Sequence, residues 1–274
     1  DDARLALALA RTAQQNGALL LNYCAVENLQ SQDTKSAALQ SLKVKDQFTG
    51  QTFEVQAKCF VNATGVWVDD IRNMDVNAQS SQGNQGGIAK TVEPMVQASQ
   101  GIHLVVDRSF WPHDHALIVP KTSDGRVLFV IPWLGKTILG TTDTARADAP
   151  LEPRPLDSEV EFILHHAEIY LNNAPKAKDV LSSWVGLRPL VKPPSTADQA
   201  TKSVSREHTI VKSDSGLVTV TGGKWTTYRA MAEDVLQKCF DAGLLPPRPG
   251  GHTEHHRLLG APDAGATVTP LHAA

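Results

Sequence analysis

Leu5, Leu7 and Leu9 alternate with alanines at the head of the chain, a period-two pattern that would suit a strand. The composition of the stretch decides for a helix instead. Alanine, leucine, arginine and glutamine are good helix formers, Asp1 or Asp2 can cap the first turn, and Gly17 can stop it. The apolar run from Ala18 to Leu29 then predicts a buried strand. Phe53, Val55, Ala57, Cys59 and Val61 alternate behind Thr49-Gly50, which predicts a hairpin of residues 38–46 and 51–61 whose second strand runs on into Asn62-Ala63-Thr64-Gly65. Residues 73–100 are polar and glycine-bearing, and read as a loop or a crossing into another domain.

Short β-rich runs follow, GIHLVV, HALIVP, RVLFVIPW and KTILGTT, separated by turn residues such as Ser123-Asp124-Gly125 and Leu134-Gly135. They predict an antiparallel sheet. The stretch PLDSEVEFILHHAEIYLNNAP predicts the clearest helix, capped by Asp157 or Ser158, with Val160, Ile163, Leu164 and Ala167 on one face. GLVTVTGGKWTTYRAMAEDVLQKCFDAG predicts a strand, a loop and a helix over 226–242, ended by Gly243. Residues 244–274 are rich in Pro, Gly and His and lack periodicity, as a loop or disordered tail would. Segments of α/β character at both ends thus enclose a β-rich middle, the order expected of an inserted domain.

At 274 residues the chain can bury a sizeable core in one large domain or two ordinary ones. A net charge of -3 gives no global basic field, which excludes nucleic acid as the expected partner. Cys24, Cys59 and Cys239 are odd in number and widely spaced, so reduced thiols are expected rather than a disulfide framework or a zinc site. No apolar run approaches the ~20 residues of a membrane-spanning helix, so the protein is not expected to be integral. Because the first helix has no strand before it, the chain reads as part of a longer protein.

Four constellations carry candidate chemistry. Asn62-Ala63-Thr64-Gly65 at a strand end lets the backbone approach a ligand closely, although a tight strand-to-helix turn would need the same residues. Gly222-Gly223-Lys224 with Thr226 and Thr227 precedes a helix, whose unpaired N–H groups could hold an anion or a polarised carbonyl. Trp225 after the lysine breaks the nucleoside-triphosphate loop pattern, and a plain threonine cap with a solvated lysine is the simpler alternative. Arg188 and Arg206 present planar donor forks suited to a phosphate dianion, though single surface arginines are common. His103 interrupts an apolar strand; it is either a packing residue or a general base, a role that suits an unperturbed imidazole near ~6.5. The His-rich run at 252–256 lacks the order of a metal site, and the cluster Trp111, His113, Asp114 and His115 is explained by a turn.

Taken in order, VNATGVWVDDIR, GIHLVV, RVLFVIPWLGKTILGTTDT, SSWVGLRPL, SREH and GGKWTTYRAMAEDVL closely resemble the FAD-dependent, quinone-linked glycerol-3-phosphate dehydrogenases from about Asp1 to Gly243. The resemblance implies an α/β fold, a partial glutathione-reductase-like FAD domain with an inserted, mostly antiparallel β-sheet substrate domain. Residues 1–77 and 201–243 would belong to the FAD domain, 78–200 to the substrate domain and 244–274 to the tail. The Gly-x-Gly-x-x-Gly unit would lie upstream of Asp1, and the family's C-terminal helical domain would not be expected within the tail. It further implies oxidation of glycerol 3-phosphate to dihydroxyacetone phosphate, with hydride passing from C2 to flavin N5 and electrons on to quinone. The isolated chain is then expected to be inactive.

Site roles follow from the same resemblance. Arg188 and Arg206 would bind the phosphate, His103 or Lys224 would serve as the base, and Ala63, Thr64, Gly65, Gly222, Gly223, Thr226 and Thr227 would meet the FAD. His103 is the preferred base, because Lys224 would need its ammonium depressed by burial and neighbouring arginines. No metal is implied. The family's setting implies a peripheral contact with the inner face of the cytoplasmic membrane from a cytoplasmic location, and a homodimer is an assembly it allows. A related amine or hydroxy-acid oxidase, or a fragment that only binds, are the alternatives.

Overall fold

The computed structural model describes residues 2–30, 39–80, 90–120, 122, 125–192, 207–263 and 265–267. The chain forms two compact units, one spanning Asp1–Val96 and Ser205–Ala266, the other Gln97–Val204 with Thr267–Ala274.

In the first unit α1 (Asp2–Gln15) is stopped by Gly17 at φ 90°, and β1 (Cys24–Gln30), β2 (Ser41–Asp46) and β3 (Thr52–Gln56) form an antiparallel sheet. The β2–β3 turn is held by the Asp46 carboxylate, which accepts from the Phe48 N–H at 2.8 Å, and by Gly50 at φ 72°. The expected buried strand through Ala18–Leu29 is shorter and wetter than its composition implies. Leu19 is 83% exposed, and the strand begins only at Cys24. The predicted run from β3 into Asn62 is also corrected. The ladder stops at Gln56, and β4 (Val61–Asn62) joins a different sheet, so alternation through Cys59 marks two strands and a joint.

After β4 a short 3-10 turn, Gly65–Trp67, leads into α2 (Val68–Ser80), where the sequence suggested a loop from residue 73. Side chains of this helix explain the polar composition. Asp69 accepts from the Met95 and Val96 N–H groups, Asn73 from the Val92 N–H and Asn77 from the Lys90 N–H. The helix thereby ties down the extended segment 90–96, and its amides were spent on that rather than on a loop.

In the second unit β5 (Val96–Asp107), β6 (Leu117–Val119), β7 (Leu128–Trp133), β8 (Lys136–Gly140), β9 (Thr144–Arg146) and β10 (Ser182–Val191) form a six-stranded sheet in the order β10-β5-β8-β7-β6, with β9 pairing β5. The β5, β6, β7 and β8 pairings are antiparallel. Ile102, Leu104 and Val106 on alternate positions of β5 pack with Val130 and Leu139 and with Ile163 and Ala167 of α3 (Asp157–Tyr170), each burial contributing about 1.5–3 kcal/mol. Residue Asp157 opens α3 but does not cap it. The Leu156 N–H is taken instead by Glu159, at 3.0 Å.

The chain returns to the first unit with β11 (His208–Lys212) and β12 (Val218–Gly222), which pairs β11 antiparallel and β4 parallel. A 3-10 turn, Trp225–Thr227, then enters α4 (Tyr228–Asp241). Beyond α4, Leu244 and Leu245 pack on the cluster of Val218, Val220, Val235 and Cys239, and the Leu259 N–H reaches Thr12 of α1 at 2.8 Å. Among the described residues no helix is long and apolar enough to cross a membrane.

Candidate active site

One candidate cluster lies at the carboxyl end of the parallel pair β4 and β12. Val218 sits opposite Val61 and Thr219 opposite Asn62, so Gly65 and Gly222 each follow the last paired residue by the same step. Both have positive φ, 64° and 78°, which turns the two strands off at the same level. Asn62 is buried and fixes this end. Its amide donates to the Val68 carbonyl at 2.9 Å, and its Oδ1 accepts from the Thr64 hydroxyl at 2.7 Å. Ala63 and Thr64 stay exposed beside the α4 entrance.

At that entrance Gly223 also has positive φ, and a Cβ there would fall 2.6 Å from the Met231 sulfur. The helix begins later than its sequence suggests. Thr226 and Thr227 lie in the 3-10 turn, and the Thr227 hydroxyl donates back to the Lys224 carbonyl at 3.0 Å instead of capping α4. No side chain caps the first N–H groups of α4, which leaves donors and a positive dipole end at this crevice. Lys224 is exposed there and has no ion-pair partner among the described residues. The set suits a planar ligand with polarised carbonyls or an anion, close to backbone that no Cβ obstructs. His208, opposite Gly222 on β11, bonds Asp234 of α4 at 2.8 Å and ties the loop's two flanks together.

Another candidate cluster is on the face of the six-stranded sheet turned away from α3. His103 lies on β5 opposite Gly140 of β8, where a Cβ would collide with the imidazole, and its ring stacks on Trp184 of β10 at 5.1 Å and 17°. Two residues back along the same face of β5, Gly101 lies under the guanidinium of Arg188, and a Cβ there would overlap it. Trp184 and Arg188 share one face of β10 while Val185 packs into the core. The fold therefore brings His103 and Arg188 together.

The turn after β8 holds Arg188. Nη1 donates to the Thr142 carbonyl at 3.1 Å, Nη2 donates to the Thr141 hydroxyl at 3.0 Å, and the Asp143 carboxylate lies at 4.0 Å. Asp143 also accepts from the Ser99 hydroxyl. Beneath these residues Thr142 donates to Glu159 at 3.0 Å, Gln100 donates to Glu159 at 2.7 Å, and the Ile102 N–H donates to the Thr142 hydroxyl at 3.0 Å. Gly101, Gly140, Thr141, Thr142, Asp143 and Trp184 were not singled out from the sequence. A glycine inside a strand, at 101 and at 140, was the available signal of close approach. Arg206 lies outside the described residues.

The family described as FAD dependent oxidoreductase matches residues 1–230. The chain is 40% identical to the mitochondrial glycerol-3-phosphate dehydrogenase of Arabidopsis thaliana, over 95% of this chain and 39% of that protein. It is 42% identical to the mitochondrial glycerol-3-phosphate dehydrogenase of Homo sapiens, over 91% of this chain and 33% of that protein. Among solved structures, the glycerol-3-phosphate dehydrogenase from Bacillus halodurans complexed with FAD superposes with a TM-score of 0.73 at 34% identity, covering 90% of this chain and 44% of that one. The chain spans only part of such relatives, 39% of the plant protein's length and 33% of the human protein's. By the match over most of its length, the chain belongs to the FAD-dependent oxidoreductase family.

Proposed function

We propose that the protein oxidises sn-glycerol 3-phosphate to dihydroxyacetone phosphate with FAD as its cofactor. The observation that carries this reading is the Arg188 guanidinium laid over Gly101, beside His103 on one sheet face, in a chain about 40% identical to glycerol-3-phosphate dehydrogenases. A planar fork of donors held by Thr141 and Thr142 suits phosphate oxygens, and binding there orients the three-carbon body toward the imidazole. Arg206 is the second phosphate ligand in this reading.

His103 takes the C2 hydroxyl proton. Its ring is half-buried and oriented by stacking on Trp184. Lys224 is exposed at the flavin loop, where its positive charge would stabilise the reduced flavin. The flavin, bound against Ala63, Thr64, Gly65, Gly222, Gly223, Thr226 and Thr227, supplies the two-electron acceptor. The uncapped α4 entrance and the glycine turns fit its ring carbonyls and flat edge.

The remaining parts of this proposal rest on the sequence resemblance: the unit carrying β4, β12 and α4 as the flavin side, the unit carrying β5 and β10 as the substrate side, quinone as the onward acceptor, peripheral membrane contact and a homodimer. The curated relatives are named as mitochondrial, and for this chain we carry a cytoplasmic location at the inner face of the cytoplasmic membrane. The FAD-loaded protein incubated with glycerol 3-phosphate and an artificial electron acceptor should form dihydroxyacetone phosphate. Loaded flavin with no product would overturn the proposal.

A further inference from the structure

Of the three cysteines in the chain, two that are 180 residues apart meet in the fold. Cys59 sits in the joint between β3 and β4, and Cys239 in the last turn of α4, with their sulfurs 3.6 Å apart. Cys239 is fully buried among Val218, Val220 and Val235, whereas Cys59 is partly exposed. Both are free thiols. The sulfurs are at van der Waals contact, and a disulfide requires a further approach of about 1.5 Å, within the reach of side-chain rotation.

We propose that Cys59 and Cys239 are an oxidative modification site, a dithiol that exchanges with a small disulfide to close an internal cross-link. The partly exposed Cys59 loses its proton and attacks one sulfur of the small disulfide, and one small thiolate leaves. The buried Cys239, as thiolate, then attacks the Cys59 sulfur of the mixed disulfide and expels the second small thiolate. The two protons given up by the protein end on the two released small thiols, so the dithiol is oxidised and the reagent reduced. Burial and the adjacent Cys239 thiol push Cys59 up to about 11, so the attacking thiolate is scarce at neutrality and exchange speeds up as pH rises.

The cross-link would staple the approach to β4 onto α4. Those elements end and begin at the glycine turns Gly65 and Gly222-Gly223, so closure stiffens that crevice. The site itself does not depend on which substrate the protein oxidises.

The test is a non-reducing peptide map of the protein after incubation with glutathione disulfide at mildly alkaline pH. The expected result joins Cys59 to Cys239 with loss of two hydrogens and no retained glutathione, raises the melting temperature, and reverses with dithiothreitol. In Cys239→Ala the reaction should stop at a glutathione adduct on Cys59; should that variant fail to fold, Cys59→Ser should leave Cys239 as a thiol. Cys24, at the head of β1, is the internal control. If the wild-type protein at equilibrium carries glutathione on Cys59, or keeps both thiols free, the proposal fails.

Discussion

Gly101 lies directly beneath the Arg188 guanidinium, so close that a single added Cβ would overlap it. The contact couples a backbone position on β5 to the donors offered on β10. It makes the absence of a side chain a condition for placing a cation two residues from His103. Gly101→Ala should displace the fork without removing its charge. The expected outcome is at least a tenfold rise in KM for glycerol 3-phosphate, about 1.4 kcal/mol, with weaker inhibition by inorganic phosphate and an unchanged far-ultraviolet spectrum. Removing the fork altogether with Arg188→Ala should cost more, roughly 2–5 kcal/mol.

His103→Gln should lower kcat by about 10²–10⁴ and flatten the acidic limb of the pH–rate profile, with phosphate inhibition intact. Wild-type turnover with the original profile would transfer the base to another group. Trp184→Leu removes the stacking partner but not the imidazole, and its smaller loss in kcat would show how much of the effect is orientation.

Glu159 is 3% exposed and receives Gln100, Thr142 and the Leu156 N–H. Glu159→Ala strands these donors, at about 1–3 kcal/mol for each one left buried without a partner. A lower urea midpoint with unchanged slope is the expected reading. Because Thr142 also receives Arg188, KM should rise as well.

The acid end of the stability profile should carry the signature of Asp107. Its carboxylate accepts from the Ser109 N–H and pairs with Lys136 at 2.9 Å, which lowers its pKa from 3.8 to about 2. A folded value below the unfolded one means the contribution is complete above about 3.8 and is lost as pH falls through about 2. Asp107→Asn should make unfolding less pH-dependent across that window. Carbon-detected NMR of the carboxyl group should show the titration directly, and an ordinary carboxylate midpoint would contradict the assignment.

Gly223→Ala combines a positive φ with a contact to Met231. A loss of stability of about 1–2 kcal/mol is expected, and the FAD affinity of the protein should fall with it. Unchanged FAD affinity would remove the loop from the flavin site.

Elements whose pattern is local were readable from the sequence. The alternation of Ile102, Leu104 and Val106 announced β5, and Val160, Ile163 and Ala167 announced α3, because burial on one face leaves a periodic trace. Joints were not readable. Alternation runs unbroken from Phe53 to Val61, yet β3 and β4 join different sheets, a decision made by residues as distant as Val218. The polar face of α2 hid a helix because Asp69, Asn73 and Asn77 serve segment 90–96. At the site, His103 and Arg188 stood out by chemical type. Gly101, Gly140 and Thr142 did not, since their roles are to leave space or present a carbonyl to side chains tens of residues away. The Cys59–Cys239 contact was hidden for the same reason: spacing along the chain suggested three separate thiols.

The central claim is tested most directly by anaerobic single-turnover bleaching of the FAD-loaded protein, comparing glycerol 3-phosphate, the same substrate deuterated at C2, glycine and lactate. The account predicts bleaching by glycerol 3-phosphate, slower bleaching by the deuterated compound and retained colour with the other two. Bleaching by glycine or lactate but not by glycerol 3-phosphate would contradict it.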